Sequence, residues 1–170
     1  MKTIPAFFAL LLLIIILTIL IAQSGIFSGS APVDLGVSMN RLKAPSENEN
    51  SVSSQAYYFN KTQANVDYAQ VEPLNYRGTG KAAIVNLKKM LGADFKEAIL
   101  IEESENYLRY EFKTRLMKFT DDVEFLLNES ENYIHFRSAS RIGQNDFGRN
   151  RECMEEIRKK FLKLNVEAVK

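Results

Sequence analysis

Asp121, Asp122 and Glu124 fall within four positions of one another, a spacing that could supply a general acid and base or oxygen ligands for a hard cation. Further on, the run from Arg137 to Arg151 reads Arg-Ser-Ala-Ser-Arg-Ile-Gly-Gln-Asn-Asp-Phe-Gly-Arg-Asn-Arg and gathers four arginines, two serines and two glycines where a strand gives way to a helix. Backbone N–H groups and the dipole at a helix N-terminus favour an anion, and the planar guanidinium fork suits carboxylate or phosphate. The expected ligand-contacting residues are therefore Arg137, Ser138, Ser140, Arg141, Asp146, Asn150 and Arg151. The same residues also have an ordinary use. Arg137 and Arg141 can pair with Glu124 and Asp122 across neighbouring strands on a solvated sheet face, while Asp146 or Asn150 caps the helix.

Other chemistry is scarce. One cysteine, Cys153, forms no internal disulfide and no cysteine-based zinc site, and one histidine, His135, leaves too few imidazoles for most catalytic metal centres. The sequence calls for no cofactor and no metal. Arg149 and Arg151 could lower the Cys153 thiol pKa, whereas burial beside Ile157 would raise it. The 22 Lys and Arg against 21 Asp and Glu leave a net charge of +1, so no overall field favours nucleic acid or an acidic membrane surface.

These residues need elements to hold them. Thr79 with Ala83, Ile84, Leu87, Met90 and Leu91 predicts a capped helix that stops at Gly92. Ile99 and Ile101, then Leu108, Tyr110 and Phe112, predict a hairpin turning at Ser104-Glu105, with Ile101 opposite Leu108 and Ile99 opposite Tyr110. Val123, Phe125 and Leu127 predict a second hairpin with Ile134 and Phe136, which sets Leu127 against Ile134, Phe125 against Phe136 and Glu124 against Arg137. A last helix buries Met154, Ile157, Phe161 and Leu164, with Glu155–Lys159 and Glu156–Lys160 as i,i+4 pairs. The expected fold is α+β: an antiparallel sheet of about four strands with two helices on one face.

Residues 4 to 22 are apolar apart from Pro5 and Thr18. At 1.5 Å per residue they reach about 28 Å, close to the hydrocarbon thickness of a bilayer, so they make a transmembrane anchor or a signal sequence. Lys2 precedes the run and no Lys or Arg follows it before Arg41, an asymmetry that holds the N-terminus in the cytoplasm and places the rest outside. Half of residues 23 to 54 are Ser, Gly, Asn or Pro, the composition of a flexible tether, which makes 55 to 170 the expected folded unit.

The long C-terminal pattern, Arg137-Ser-Ala-Ser-Arg141-x-Gly143-x-x-Asp146-x-Gly148-x-Asn150-Arg151, preceded by Phe119-Thr-Asp121-Asp122-Val-Glu124-Phe125-Leu126, resembles the family called domain of unknown function 1499. Val52-Ser53-Ser54 is similar to that family's opening motif, so the resemblance covers roughly residues 50 to 163. It implies a domain carried behind a signal or anchor segment in bacteria, with chloroplast relatives, and brings no established activity. Family members often carry cysteine immediately before Val-Ser-Ser, where this chain has Ser51, so any role of that cysteine does not transfer.

The residues favour a binding or assembly module over an enzyme. Its expected position is a single pass in the membrane with the domain on the periplasmic or lumenal side. Its expected partners are the membrane through residues 4 to 22 and an anionic small molecule or a protein. The alternative is a small hydrolase or other enzyme using Asp121, Asp122 and Glu124 on an anionic substrate held by Arg141.

Overall fold

The computed structural model describes residues 3 to 60 and 64 to 167. It is an α+β fold whose antiparallel sheet has six strands. Helix α1 (Thr3–Gln23) is followed by strand β1 (Ser51–Ser53), a 3₁₀ turn (Ala56–Tyr58), one turn of helix α2 (Val66–Ala69) and strand β2 (Leu74–Asn75). Helix α3 (Gly80–Asp94), strands β3 (Ala98–Glu103), β4 (Tyr107–Lys113), β5 (Thr120–Asn128) and β6 (Tyr133–Ser140), and helix α4 (Arg149–Glu167) complete the chain. The strand order is β1-β6-β5-β4-β3, and β2 pairs with β6 beyond the stretch that β1 occupies.

The apolar side of the sheet follows the alternation of β4, β5 and β6. Leu108, Tyr110, Phe112, Val123, Phe125, Leu127, Ile134 and Phe136 form one core with Ala83, Ile84, Leu87, Met90 and Leu91 of α3 and Met154, Ile157 and Phe161 of α4. Thr79 caps α3 by accepting a hydrogen bond from the Ala82 N–H at 3.2 Å. The helix runs past Gly92 to Asp94, because the Phe95 N–H still reaches the Leu91 carbonyl. In α4 the buried stripe ends at Phe161, and Leu164 is exposed. Glu156 pairs with Lys160 at 3.8 Å, while Glu155 takes Arg158, one residue nearer, instead of Lys159.

The second hairpin has the expected register: Leu127 faces Ile134, Phe125 faces Phe136 and Glu124 faces Arg137. The first does not. The Ser104 N–H donates to the Tyr107 carbonyl, so the turn centres on Glu105-Asn106, and a bulge at Ile101 shifts the pairing again. Leu100 ends opposite Tyr110 and Ile99 opposite Glu111, on an edge strand whose Ile99, Leu100 and Ile101 are exposed.

The largest difference from expectation lies in residues 24 to 54. Ser51–Ser53 is a sheet strand, its three residues buried, so the fold begins before Gln55. Residues 30 to 50 lie as a strap over the side of the sheet away from the helices. Leu42 is buried against Tyr107 and Leu126, its N–H donates to Gln55 Oε1 at 2.9 Å, and the Gly36 N–H reaches Glu124. The sheet therefore has no solvated face at β5 and β6, where nearly every residue is buried.

One helix among the described residues, Pro5–Gln23, is long and apolar enough to cross a membrane, with mean hydropathy 3.0, and only 6% of it is buried against the protein. It fits a membrane anchor or a signal segment. Lys2 lies outside the described residues.

Candidate functional site

A strand turns alternate side chains to opposite faces. Asp122 and Glu124 therefore share one face of β5, with Glu111 of β4 and Arg137 of β6, while Asp121 looks to the other, toward α4. The three acidic residues are brought to two places, and no pair that includes Asp121 can converge on one substrate.

On the strap side the charges are closed among themselves. Glu124, fully buried, accepts from Tyr107 Oη at 2.9 Å, from the Gly36 N–H at 2.8 Å and from Arg137 Nη1 at 3.4 Å. Arg137 also donates through Nε to the Ala44 carbonyl of the strap at 3.3 Å. Arg141 donates to both oxygens of Asp122, at 2.8 and 2.7 Å, and to Glu111 at 2.5 Å. Hydrogen bonding to Asp122, helped by Glu111, holds the Arg141 guanidinium above its usual pKa. Burial, and next to it the Glu124 carboxylate, drives the Tyr107 phenol far above the ordinary tyrosine value. An ion pair this dry depends on the further hydrogen bonds around it, from Tyr107 and the Gly36 N–H to Glu124 and from Arg137 to the Ala44 carbonyl.

On the helix side the remaining expected ligand residues hold the α4 N-terminus. Asp146 accepts from the Gly148 N–H at 2.9 Å, the Asn150 N–H at 2.8 Å and the Asn150 side-chain amide at 2.6 Å, and the Tyr68 hydroxyl donates to it at 3.2 Å. The anion at this helix end is thus the Asp146 carboxylate. Asn150, itself buried, accepts from the Ser138 hydroxyl and donates to Ser140 Oγ at 3.0 Å and to the Asn50 carbonyl at 3.1 Å. Ser140 donates to Asp121 at 2.6 Å, and Arg151 donates to the backbone carbonyls of Tyr68 and Gln70. The motif thereby ties α4, β6 and the start of β1 into one unit.

Arg149, the fourth arginine, is different. It is exposed and carries one long contact, 3.9 Å to Glu152. It stands over a cleft of two adjoining hollows that share Thr114, Asp121 and Arg149. One, about 310 Å³, is further lined by Glu97, Phe112 and Cys153; the other, about 300 Å³, by Phe119, Ile142 and Phe147. Burial raises the Asp121 carboxyl above its usual pKa, against the hydrogen bond from Ser140. Burial also pushes the Cys153 thiol up to about 12 in spite of Arg149, so it is a protonated wall rather than a nucleophile. Thr114 Oγ1 is buried in this wall without a hydrogen-bond partner. A cleft with a mostly apolar lining, three cations on its wall, Lys113, Arg115 and Arg149, and a buried, unpartnered Thr114 hydroxyl can hold a small molecule with an anionic head.

A second group was not visible in the residue pattern. Ser54 Oγ lies 3.1 Å from His135 Nδ1, and His135 Nε2 lies 3.4 Å from Glu131, beside a hollow of about 310 Å³ that includes Tyr57, Tyr58 and Tyr133. Burial lowers the His135 pKa, against Glu131, and favours the neutral ring. The Ser54 oxygen is occupied, since it accepts the Phe136 N–H at 2.9 Å where the β1–β6 ladder ends. It acts as a sheet cap. The i,i+4 spacing of Glu131 and His135 across the hairpin turn was the only available signal, and Ser54 could be added to it only through the β1 pairing.

Among the described residues no group of three or more His, Cys, Asp or Glu side chains could hold a metal ion. The family model described as protein of unknown function (DUF1499) matches residues 41–161, and the chain belongs to that family. No curated protein and no solved structure matches it.

Proposed function

We propose that this member of the DUF1499 family is a single-pass, membrane-anchored binding module on the extracytoplasmic side, and that its site is the cleft beneath Arg149. The observation that carries the reading is the contrast among the arginines of the 137–151 run: Arg137, Arg141 and Arg151 are consumed by protein partners, whereas Arg149 is exposed over the cleft. The ligand is a small amphiphile whose anionic head pairs with Arg149 and whose apolar part lies against Phe112, Phe119 and Phe147. Sidedness rests on Lys2 before the helix and the absence of Lys and Arg from there to Arg41.

The test is thermal unfolding of the full chain in lipid nanodiscs with hexyl phosphate, hexanoate or inorganic phosphate at constant ionic strength. A ligand that binds only the native state raises its stability, by about 2.7 kcal/mol at a hundredfold excess over Kd. Hexyl phosphate is expected to stabilise the wild type more than inorganic phosphate does, and Arg149→Gln to remove the gain without moving the unliganded melt. Equal responses of the two proteins to every anion discard the cleft as an anion site. A C-terminal reporter active only in the cytoplasm overturns the sidedness.

A further inference from the structure

We infer that the face of the domain built from the β4–β5 loop and the α4 entry lies on the bilayer surface, with Leu116, Phe119 and Phe147 in the headgroup region. The inference rests on the anchor reading of α1. Its starting point is how tightly α1 is stapled to this face. Gln23, the last residue of α1, donates to the Leu116 carbonyl at 2.7 Å, and Ser28 Oγ donates to the Lys118 carbonyl at 3.2 Å. The Phe27 ring packs on Phe119 with centroids 5.6 Å apart. Gly29, at φ +62°, comes so close that a Cβ would stand 2.7 Å from Arg141 Cβ and 3.0 Å from Ile142 Cγ2. No free linker separates the helix end from the domain. Wherever α1 leaves the hydrocarbon, the 114–119 loop is held within a few ångströms of that depth.

The chemistry of the face matches such a position. Phe147 is 95% exposed, Ile26 66% and Leu116 55%, with Phe119 and Ile142 partly exposed beside them. Phe147 also sits at φ +54°, a backbone region that an aromatic residue rarely occupies, so the chain holds this ring outward at a conformational cost. Arg115 and Lys118 lie in this loop and Lys113, paired with Glu111 at 2.8 Å, ends β4 just before it, with no acidic residue from 113 to 119; Arg149 adds a fourth cation beside them. Aromatic and aliphatic side chains beside Lys and Arg are the composition of surfaces that sit at the lipid boundary and attract anionic headgroups. A protein partner would be served by the apolar residues alone; the stapling to α1 selects the bilayer.

The chain has no tryptophan, so a single one reports its own surroundings. Phe147→Trp and, separately, Leu116→Trp are placed in the full chain and reconstituted in vesicles of anionic phospholipid brominated near the top of the acyl chains. Tyr57→Trp, at the opposite end of β6 from the loop, serves as the control. The expected result is a blue shift and a loss of emission to bromine for both reporters, and neither for the control. Reporters unquenched in protein that resists carbonate extraction overturn this inference and leave the anchor standing, with the face then free for a protein partner. Release of the protein by carbonate overturns the anchor and this inference with it.

Discussion

Asp121 and Asp122 are neighbours in β5, yet one lies at the open cleft and the other in a closed network. Asp122, with Glu111 and Glu124, lies beneath or beside the strap, where Arg137, Arg141, Tyr107 and a strap N–H satisfy their oxygens. Asp121 faces α4, accepts one hydroxyl and borders two hollows. Both regions draw on β5 and β6. They differ in what covers them: backbone and charge partners laid across one side, and a helix end that leaves a gap on the other. A dense run of charge in a sequence thus marks structure where a cover neutralises it, and a site only where the cover stops short.

The comparison breaks most visibly if a strap-side charge is left alone. Arg137→Ala leaves the fully buried Glu124 carboxylate without its charge partner, at a cost of about 3–5 kcal/mol in chemical denaturation. Arg137→Met combined with Glu124→Gln leaves no buried charge and is expected to recover much of that loss. A cost for Arg137→Ala below about 1 kcal/mol, the range of an exposed pair, would show that the network is solvated.

The strap itself is the next element to break. Leu42→Ala empties a buried position against Tyr107 and Leu126 and is expected to cost about 2–4 kcal/mol. Val33→Ala, in the same segment but fully exposed, is expected to change the denaturation midpoint little. Equal, small effects would return residues 24 to 50 to the status of a tether.

Why the strap was not legible is a matter of which atoms make its contacts. The Gly36 N–H, the Ala44 carbonyl and the Leu42 N–H bind the domain, and backbone groups leave no trace in residue types. Leu42 is a single apolar residue with no periodicity around it. By contrast the β5–β6 register was legible, because apolar alternation on both strands admits one pairing and a slip would turn Phe125 and Phe136 outward. The β3–β4 register departs from the apolar alternation because the bulge at Ile101 makes one residue extra, and the alternation of Ile99 and Ile101 carries no sign of it. At the site, the pairing of Arg137 with Glu124 follows from register alone. That Arg149 would be the exposed arginine depends on where Asp146 starts α4, which the local sequence left open between Asp146 and Asn150.

The smallest effects separate the two faces by sign. Burial works to raise the Glu111 pKa, but hydrogen bonds from Lys113 and Arg141 outweigh it and hold the carboxyl below its usual value. Its stabilising contribution is therefore present above the unfolded-state pKa and is lost as pH falls through the folded one. Asp121 runs the other way: burial raises its pKa, so the native state binds a proton more readily than the unfolded chain does. Its ionised form is a liability that is full above the native pKa and disappears as pH falls below the unfolded value. The measurement is the unfolding free energy of wild type, Glu111→Gln and Asp121→Asn from about pH 3 to about pH 7, a span that brackets both unfolded carboxylates. The wild type is expected to gain on Glu111→Gln as pH rises and to lose ground to Asp121→Asn over the same window. Curves of the same sign would mean that Asp121 is paired like the carboxylates across the sheet, and that the cleft is closed by charge partners rather than left open for a ligand.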